Sequence, residues 1–227
     1  MTSPNQIYRI LKDLPETLPV FPIKRVILLP RSSLPLSVFE PRYLQMTDDI
    51  LGNNRLIGMI QPESGADTEL TGNVVVPLRK TGCVGRLTEF SEADDGRLLI
   101  TLTGICRFEI QNELETGNPY RTFKVDYSKY EDDLLPGFGE QKVDREKLLN
   151  VLRTYLKIHE LDADWDSINQ SSNEFLVNTL SIVSPYGPEE KQALLETKDL
   201  KQRSETLITL AEMDIASGRD TTGNTVQ

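Results

Sequence analysis

Histidine and cysteine are nearly missing from the sequence: His159 is the single histidine, and Cys83 and Cys106 are the two cysteines. An HExxH zinc site needs two histidines one helical turn apart and is excluded, and a serine or cysteine triad would have to draw its base from His159. Two cysteines are too few for a disulfide framework and lack metal-ligand spacing, so reduced thiols are expected. None of the 14 glycines precedes a lysine. The phosphate loop, whose lysine reaches the terminal phosphates from a glycine-rich cradle, is therefore missing, and with it ATP hydrolysis by that machinery. No apolar run approaches the roughly 18 residues that span a bilayer. The opening MTSPNQIYRILKDLPE also lacks the basic start and apolar core of a secretory signal. These absences predict a cytoplasmic chain with no catalytic residues, no metal, no cofactor and no membrane partner.

Positive charge is also scarce. Lysine and arginine number 25 against 35 aspartates and glutamates, a net charge of −10. The basic residues stand singly or in pairs, such as Lys24-Arg25 and Arg79-Lys80, so a polyanion meets a repulsive average field and nucleic acid is disfavoured. With 38% hydrophobic and 26% charged residues, the composition is that of an ordinary globular chain, and 227 residues hold one large domain or two small ones.

What is present is punctuated. Residues 1–17 form an N-terminal arm, either a short helix or disordered. From Leu18, prolines at 19, 22, 30 and 35 cut LPVFPIKRVILLPRSSLPLSVFEPRY into pieces too short for helices, which predicts strands near Val20–Ile23 and Pro35–Phe39. Pro41 suits the first turn of a helix, and apolar residues at 43, 46, 47 and 50 give that helix one buried face. LIGMIQP (56–62) reads as a buried strand, and 63–80 as a surface loop. The segment 81–110 alternates on both sides of Asp94-Asp95-Gly96, a hairpin signal. A two-residue loop at Asp94-Asp95 would set Cys83 opposite Cys106; the reading taken is two small buried side chains packed together rather than a redox switch. Residues 120–130 give another strand.

The acidic, patternless stretch 131–141 is read as a linker, closing a β domain over 18–130. Beyond it the apolar period becomes helical, and 142–216 is expected to be a helical bundle with a flexible tail at 217–227. Asp162, Asp164 and Asp166 imitate the start of a calcium loop, but Ser167 stands where glycine is required and Glu174 arrives one residue late, so a helix-capping turn with Trp165 packed on the bundle is expected instead. His159 reads as a helix-terminal residue. Glu92, Asp94, Asp95, Glu131, Asp132 and Asp133 read as solvated turn carboxylates.

In order and spacing, LPVFPIKRVILLPRSSLPLSVFEPRYLQM, LIGMIQP and CVGRLTEFSEADDGRLLITLTGICRFEI resemble the Lon substrate-binding domain, found at the N-terminus of ATP-dependent Lon proteases. The resemblance covers roughly residues 18–215. It implies an α+β fold: an N-terminal PUA-like β-barrel or pseudo-barrel with a short helix, followed by a C-terminal α-helical bundle. It also implies a stand-alone, non-catalytic binding module without the ATPase and peptidase modules. The implied partners are unfolded or tagged polypeptide, or a component of a protease or chaperone, with oligomers open and an RNA-binding PUA-like module as the alternative. Phe39, Tyr43 and Met46 are expected to fasten the short helix to the barrel, leaving Arg42, Gln45 and Asp49 on its outward face as candidate partner contacts.

Overall fold

The computed structural model describes residues 8–63 and 76–222, with the side chains of 218–222 left out. The expected loop at 63–80 therefore lies mostly outside the described residues. Six strands form one sheet: β1 (Thr17–Pro22), β2 (Ser33–Val38), β3 (Leu56–Pro62), β4 (Leu78–Glu92), β5 (Leu98–Leu114) and β6 (Thr122–Asp126). Their order is β2-β5-β4-β3-β1-β6, and β6 pairs back onto β5. The length of β5 makes this closure possible. Its first part pairs with β2 through residues 98–103, and its last part with β6 through residues 109–114. One strand thus closes the ring and carries a further strand outside it, giving the pseudo-barrel expected of the N-terminal half.

The ring is filled by a cluster that includes Leu18, Val20, Leu56, Ile60, Val84, Cys106, Phe108 and Val125, with Tyr8 and Leu11 of the N-terminal segment packed against it. Phe108 fits because its neighbouring strands carry no side chain beside it. A Cβ on Gly82 would stand 2.6 Å from the Phe108 ring and 2.5 Å from the Met59 carbonyl oxygen.

The β4–β5 hairpin turns through three residues, Asp94–Gly96, with Gly96 at φ +81° and the Gly96 N–H donating to Ala93 O at 3.0 Å. The expected Cys83–Cys106 pairing is corrected accordingly. The third loop residue moves the register by one, and two bulges, at Val84/Gly85 and Leu87/Glu89, offset each other between the turn and Cys83, so Cys83 lies opposite Arg107 and Cys106 opposite Val84. Successive residues of a strand alternate faces, so the two thiols point to opposite sides. Both are free and buried.

The described chain falls into two compact units. One runs to Pro136 and takes in Tyr186–Leu195; the other comprises Gly137–Pro185 and the chain from Glu196 onward. In the first, α1 (Pro41–Leu51) opens at Pro41 and buries Tyr43, Met46, Thr47 and Ile50. The helix α5 (Pro188–Glu196) follows much later in the chain, and most of it belongs to this unit. The second unit holds α2 (Arg145–Ile158), α3 (Trp165–Gln170), α4 (Asn173–Val183) and α6 (Leu200–Thr222). Asp144, Asp164 and Ser172 cap α2, α3 and α4 by accepting from backbone N–H groups of the first turn. The α6 helix continues past Ser217 to Thr222. No helix among the described residues is long and apolar enough to cross a membrane.

Candidate functional site

β4 pairs with β3 only through residues 78–86, so its last residues project past the ring with β5 and β2 as their company. This three-stranded end is built from cross-strand rows. Leu36, Ile100 and Phe90 stand side by side on one face, and Val38, Leu98 and Glu92 form the next row out. Ile100 is buried and Leu36 half-buried, while Phe90 is 52% exposed. Val38, further out, is buried as well, so the core face opens to solvent at Phe90 on β4, an apolar margin. On the opposite face Leu99, 46% exposed, lies between Ser37 and Ser91.

Phe39 adds to this end. Of the three residues expected to fasten α1, Tyr43 and Met46 are buried, with the Tyr43 ring 4.2 Å from that of Phe21. Phe39 does not: it is 64% exposed. β2 ends at Val38 and Glu40 is the N-cap of α1, so Phe39 stands in the joint, outside the repeating face of either element. Phe39, Phe90 and Leu99 thus leave large apolar side chains exposed at one end of the sheet, Phe90 and Leu99 on opposite faces.

Carboxylates accompany the apolar residues. Glu89 accepts from the Thr101 hydroxyl at 3.1 Å, and Glu92 and Asp94 lie exposed along the hairpin end. Asp95 is paired with Arg97 at 2.7 Å and Glu40 with Arg42 at 2.6 Å. Chemically this end offers apolar area, strand backbone and negative charge, a set that can hold a polypeptide segment.

Arg42, Gln45 and Asp49 all lie exposed on α1. Gln45 Nε2 donates to Asp49 Oδ1 at 2.9 Å, and the Tyr120 hydroxyl donates to Asp49 Oδ2 at 2.6 Å. The Tyr120 bond, followed by that of Gln45, holds the Asp49 carboxyl below its ordinary range. Burial and the same bond raise Tyr120 to about 12. Asp49 thus also ties α1 to the start of β6.

One buried polar cluster escaped the sequence reading. Asp133, expected to be solvated, is buried and forms a bidentate pair with Arg107: Nε to Oδ2 and Nη2 to Oδ1 are both 2.8 Å. The Arg107 N–H also donates to Asp133 Oδ2 at 3.0 Å, Nη1 to Leu195 O at 3.0 Å, and the guanidinium lies 4.3 Å from the Tyr130 ring centre. Burial works against the guanidinium charge, but the Asp133 hydrogen bonds and charge outweigh it and raise the Arg107 pKa. The cluster joins β5, the turn Ser128–Leu134 and α5, a structural clasp at the opposite end of β5's pairing from the apolar margin.

In the second unit, Asp164 spends both carboxylate oxygens capping α3, and Arg153 lies 4.8 Å over the Trp165 ring. Glu174 accepts from the Gly137 N–H at 3.0 Å. His159 ends α2, 3.3 Å from Asp214 with its ring 4.3 Å from that of Tyr155.

A profile of the ATP-dependent protease La (LON) substrate-binding domain matches residues 17–212. Among curated proteins, Lon protease of Dictyoglomus thermophilum is 27% identical over 205 residues, covering 85% of this chain and 24% of that protein. Lon protease of Parabacteroides distasonis is 28% identical over 204 residues, covering 85% and 23%. The chain thus spans about a quarter of the length of the curated relatives it matches. Two solved structures share the fold. A Lon N-terminal domain protein from Xanthomonas campestris superposes with a TM-score of 0.58 at 20% identity, over 85% of this chain and 97% of that one. The N terminal domain of Mycobacterium avium complex Lon protease gives 0.62 at 16% identity, over 86% and 98%.

Proposed function

Because the chain belongs to the Lon substrate-binding domain family, we propose that it binds exposed apolar segments of unfolded or tagged polypeptides without turning them over. The observation that carries this reading is the exposure of Phe39, Phe90 and Leu99, each about half exposed or more, at the free end of the β2-β5-β4 sheet, with Phe90 on one face and Leu99 on the other. Burial of apolar area drives such association, at about 25 cal/mol per Å² before the cost of ordering the partner. Arg42, Gln45 and Asp49 are proposed as a secondary polar rim, since α1 begins two residues after Phe39. In this reading the protein serves protein quality control as an adaptor or regulator, presenting clients to a protease or chaperone component. The carboxylates around the apolar margin oppose a phosphate backbone, so RNA is the lesser reading.

Isothermal titration with a permanently unfolded client, reduced and carboxymethylated lactalbumin, should show saturable binding. The double variant Phe39→Ser/Phe90→Ser should weaken it by about tenfold or more, as expected for losing two aromatic anchors. Equal affinity in the variant would refute the placement of the site.

A further inference from the structure

Along its outer edge β2 takes no strand among the described residues. Among the described residues β2 pairs only with β5, in an unbroken register from Ser33↔Thr103 to Val38↔Leu98. Proline has no N–H, so Pro35↔Thr101 must be one of the ladder's non-hydrogen-bonded pairs. The backbone groups of Ser33, Pro35 and Ser37 therefore point away from β5, and all three residues are exposed. Unlike the projecting part of β4, where Glu89 and Glu92 guard the strand, β2 carries no charged residue.

We propose that this edge takes an extended polypeptide segment as an added strand, with apolar residues in alternation and lysine or arginine at the flanks. This rests on the polypeptide-binding reading above and specifies its mode. Main-chain hydrogen bonds to Ser33 and Ser37 supply sequence-tolerant attachment, suited to clients that share unfolding rather than a motif. Phe39 directly after the strand and Leu99 beside Ser37 receive the apolar side chains. The net charge of −10 favours positive flanks. A second copy of this chain is the poorer occupant, because pairing through this edge would bring two prolines without N–H groups to the seam.

The test uses the full chain and a fluorescein-labelled peptide of alternating valine and threonine flanked by lysines, read by anisotropy. Two N-methylated versions block alternate sets of peptide N–H groups. One version should lose affinity by about tenfold or more while the other keeps it, because only one set faces β2. Ser37→Pro, which removes an outward N–H and leaves the inward ladder intact, should lower affinity similarly. Amide hydrogen exchange at Ser33 and Ser37 of the unaltered protein should slow on peptide addition, a readout that stands even if Ser37→Pro fails to fold. Equal affinity of both methylated peptides, or unchanged exchange at saturation, overturns the added strand. If carboxymethylated lactalbumin still binds in that case, polypeptide binding survives and only its mode is wrong. If neither peptide nor lactalbumin binds, both proposals fall. Self-association that competes with peptide and protects the same amides overturns the choice of occupant.

Discussion

Asp133 illustrates how a single side chain can carry more weight than its neighbourhood suggests. Both of its carboxylate oxygens accept from Arg107, and its backbone carbonyl accepts from Arg31 Nη1 at 2.5 Å. Removing one member of such a pair leaves the other charge buried without its counterion, which costs about 3–5 kcal/mol. Asp133→Ala is expected to lower stability in urea unfolding by that order, whereas Arg107→Met/Asp133→Leu should recover much of the loss by burying neither charge. A loss below about 1 kcal/mol in the single variant would contradict the pairing. Neither residue could be picked from the sequence. Arg107 sits in an ordinary alternating strand and Asp133 in an acidic run, 26 positions apart. Local pattern reports which side chains are apolar, not which of three consecutive carboxylates turns inward. Phe39 departs from expectation for a related reason: it stands between two periodic elements and follows the rule of neither. Tyr43 and Met46, inside a helical repeat, could be read correctly.

At the level of elements, the β4–β5 hairpin was legible because its alternation is long and Asp94-Asp95-Gly96 signals a turn. Its register was not. Loop length and two bulges each move the pairing by a residue, and neither leaves a mark in polarity. Gly104 on β5 sits against one of these irregularities. Its N–H donates to Ser32 O at 2.9 Å, and its carbonyl accepts from the Arg31 N–H at 2.8 Å, so the connection after β1 runs directly against it. A Cβ there would lie 2.0 Å from the Leu29 carbonyl oxygen, far inside contact distance and against backbone that cannot swing aside. Gly104→Ala is therefore expected to destabilise by about 1–3 kcal/mol or more through forced backbone movement. Thermal unfolding read by circular dichroism checks it. Gly96→Ala is the contrast: it meets nothing within 4 Å, and any cost there comes from its φ of +81° alone. An unchanged midpoint for Gly104→Ala would mean that the connection is looser than the hydrogen bonds imply.

Across the whole molecule, chain order and compactness do not coincide. On periodicity α5 reads as one more helix of the C-terminal bundle, yet its buried side chains and hydrogen bonds belong with the sheet. Gln61 Nε2 donates to Pro188 O at 2.9 Å and to Gln192 Oε1 at 3.1 Å; Gln192 Nε2 donates to Thr81 O at 3.2 Å; Arg107 donates to Leu195 O. Arg79 and Glu189 form a further, more exposed ion pair. Side chains that would have revealed this, Gln61 and Gln192, are polar residues at positions where a periodic reading looks only for apolar ones. A polypeptide ending at Pro136 would keep all six strands but strip the buried groups of Gln61, Thr81 and Arg107 of these partners. The hydrogen bonds lost, at about 0.5–1.5 kcal/mol each, and the lost burial of Leu194 and Leu195, at about 1.5–3 kcal/mol each, are a large share of the roughly 5–15 kcal/mol that holds a typical domain folded. Such a fragment is expected to show broadened amide spectra and no cooperative urea transition. A synthetic peptide of Tyr186–Leu195 added in trans should restore both at sufficient concentration, because ligand that binds only the folded form stabilises it by mass action. A fragment ending at Pro136 that unfolds cooperatively with the midpoint of the full chain would show instead that α5 is dispensable to the sheet.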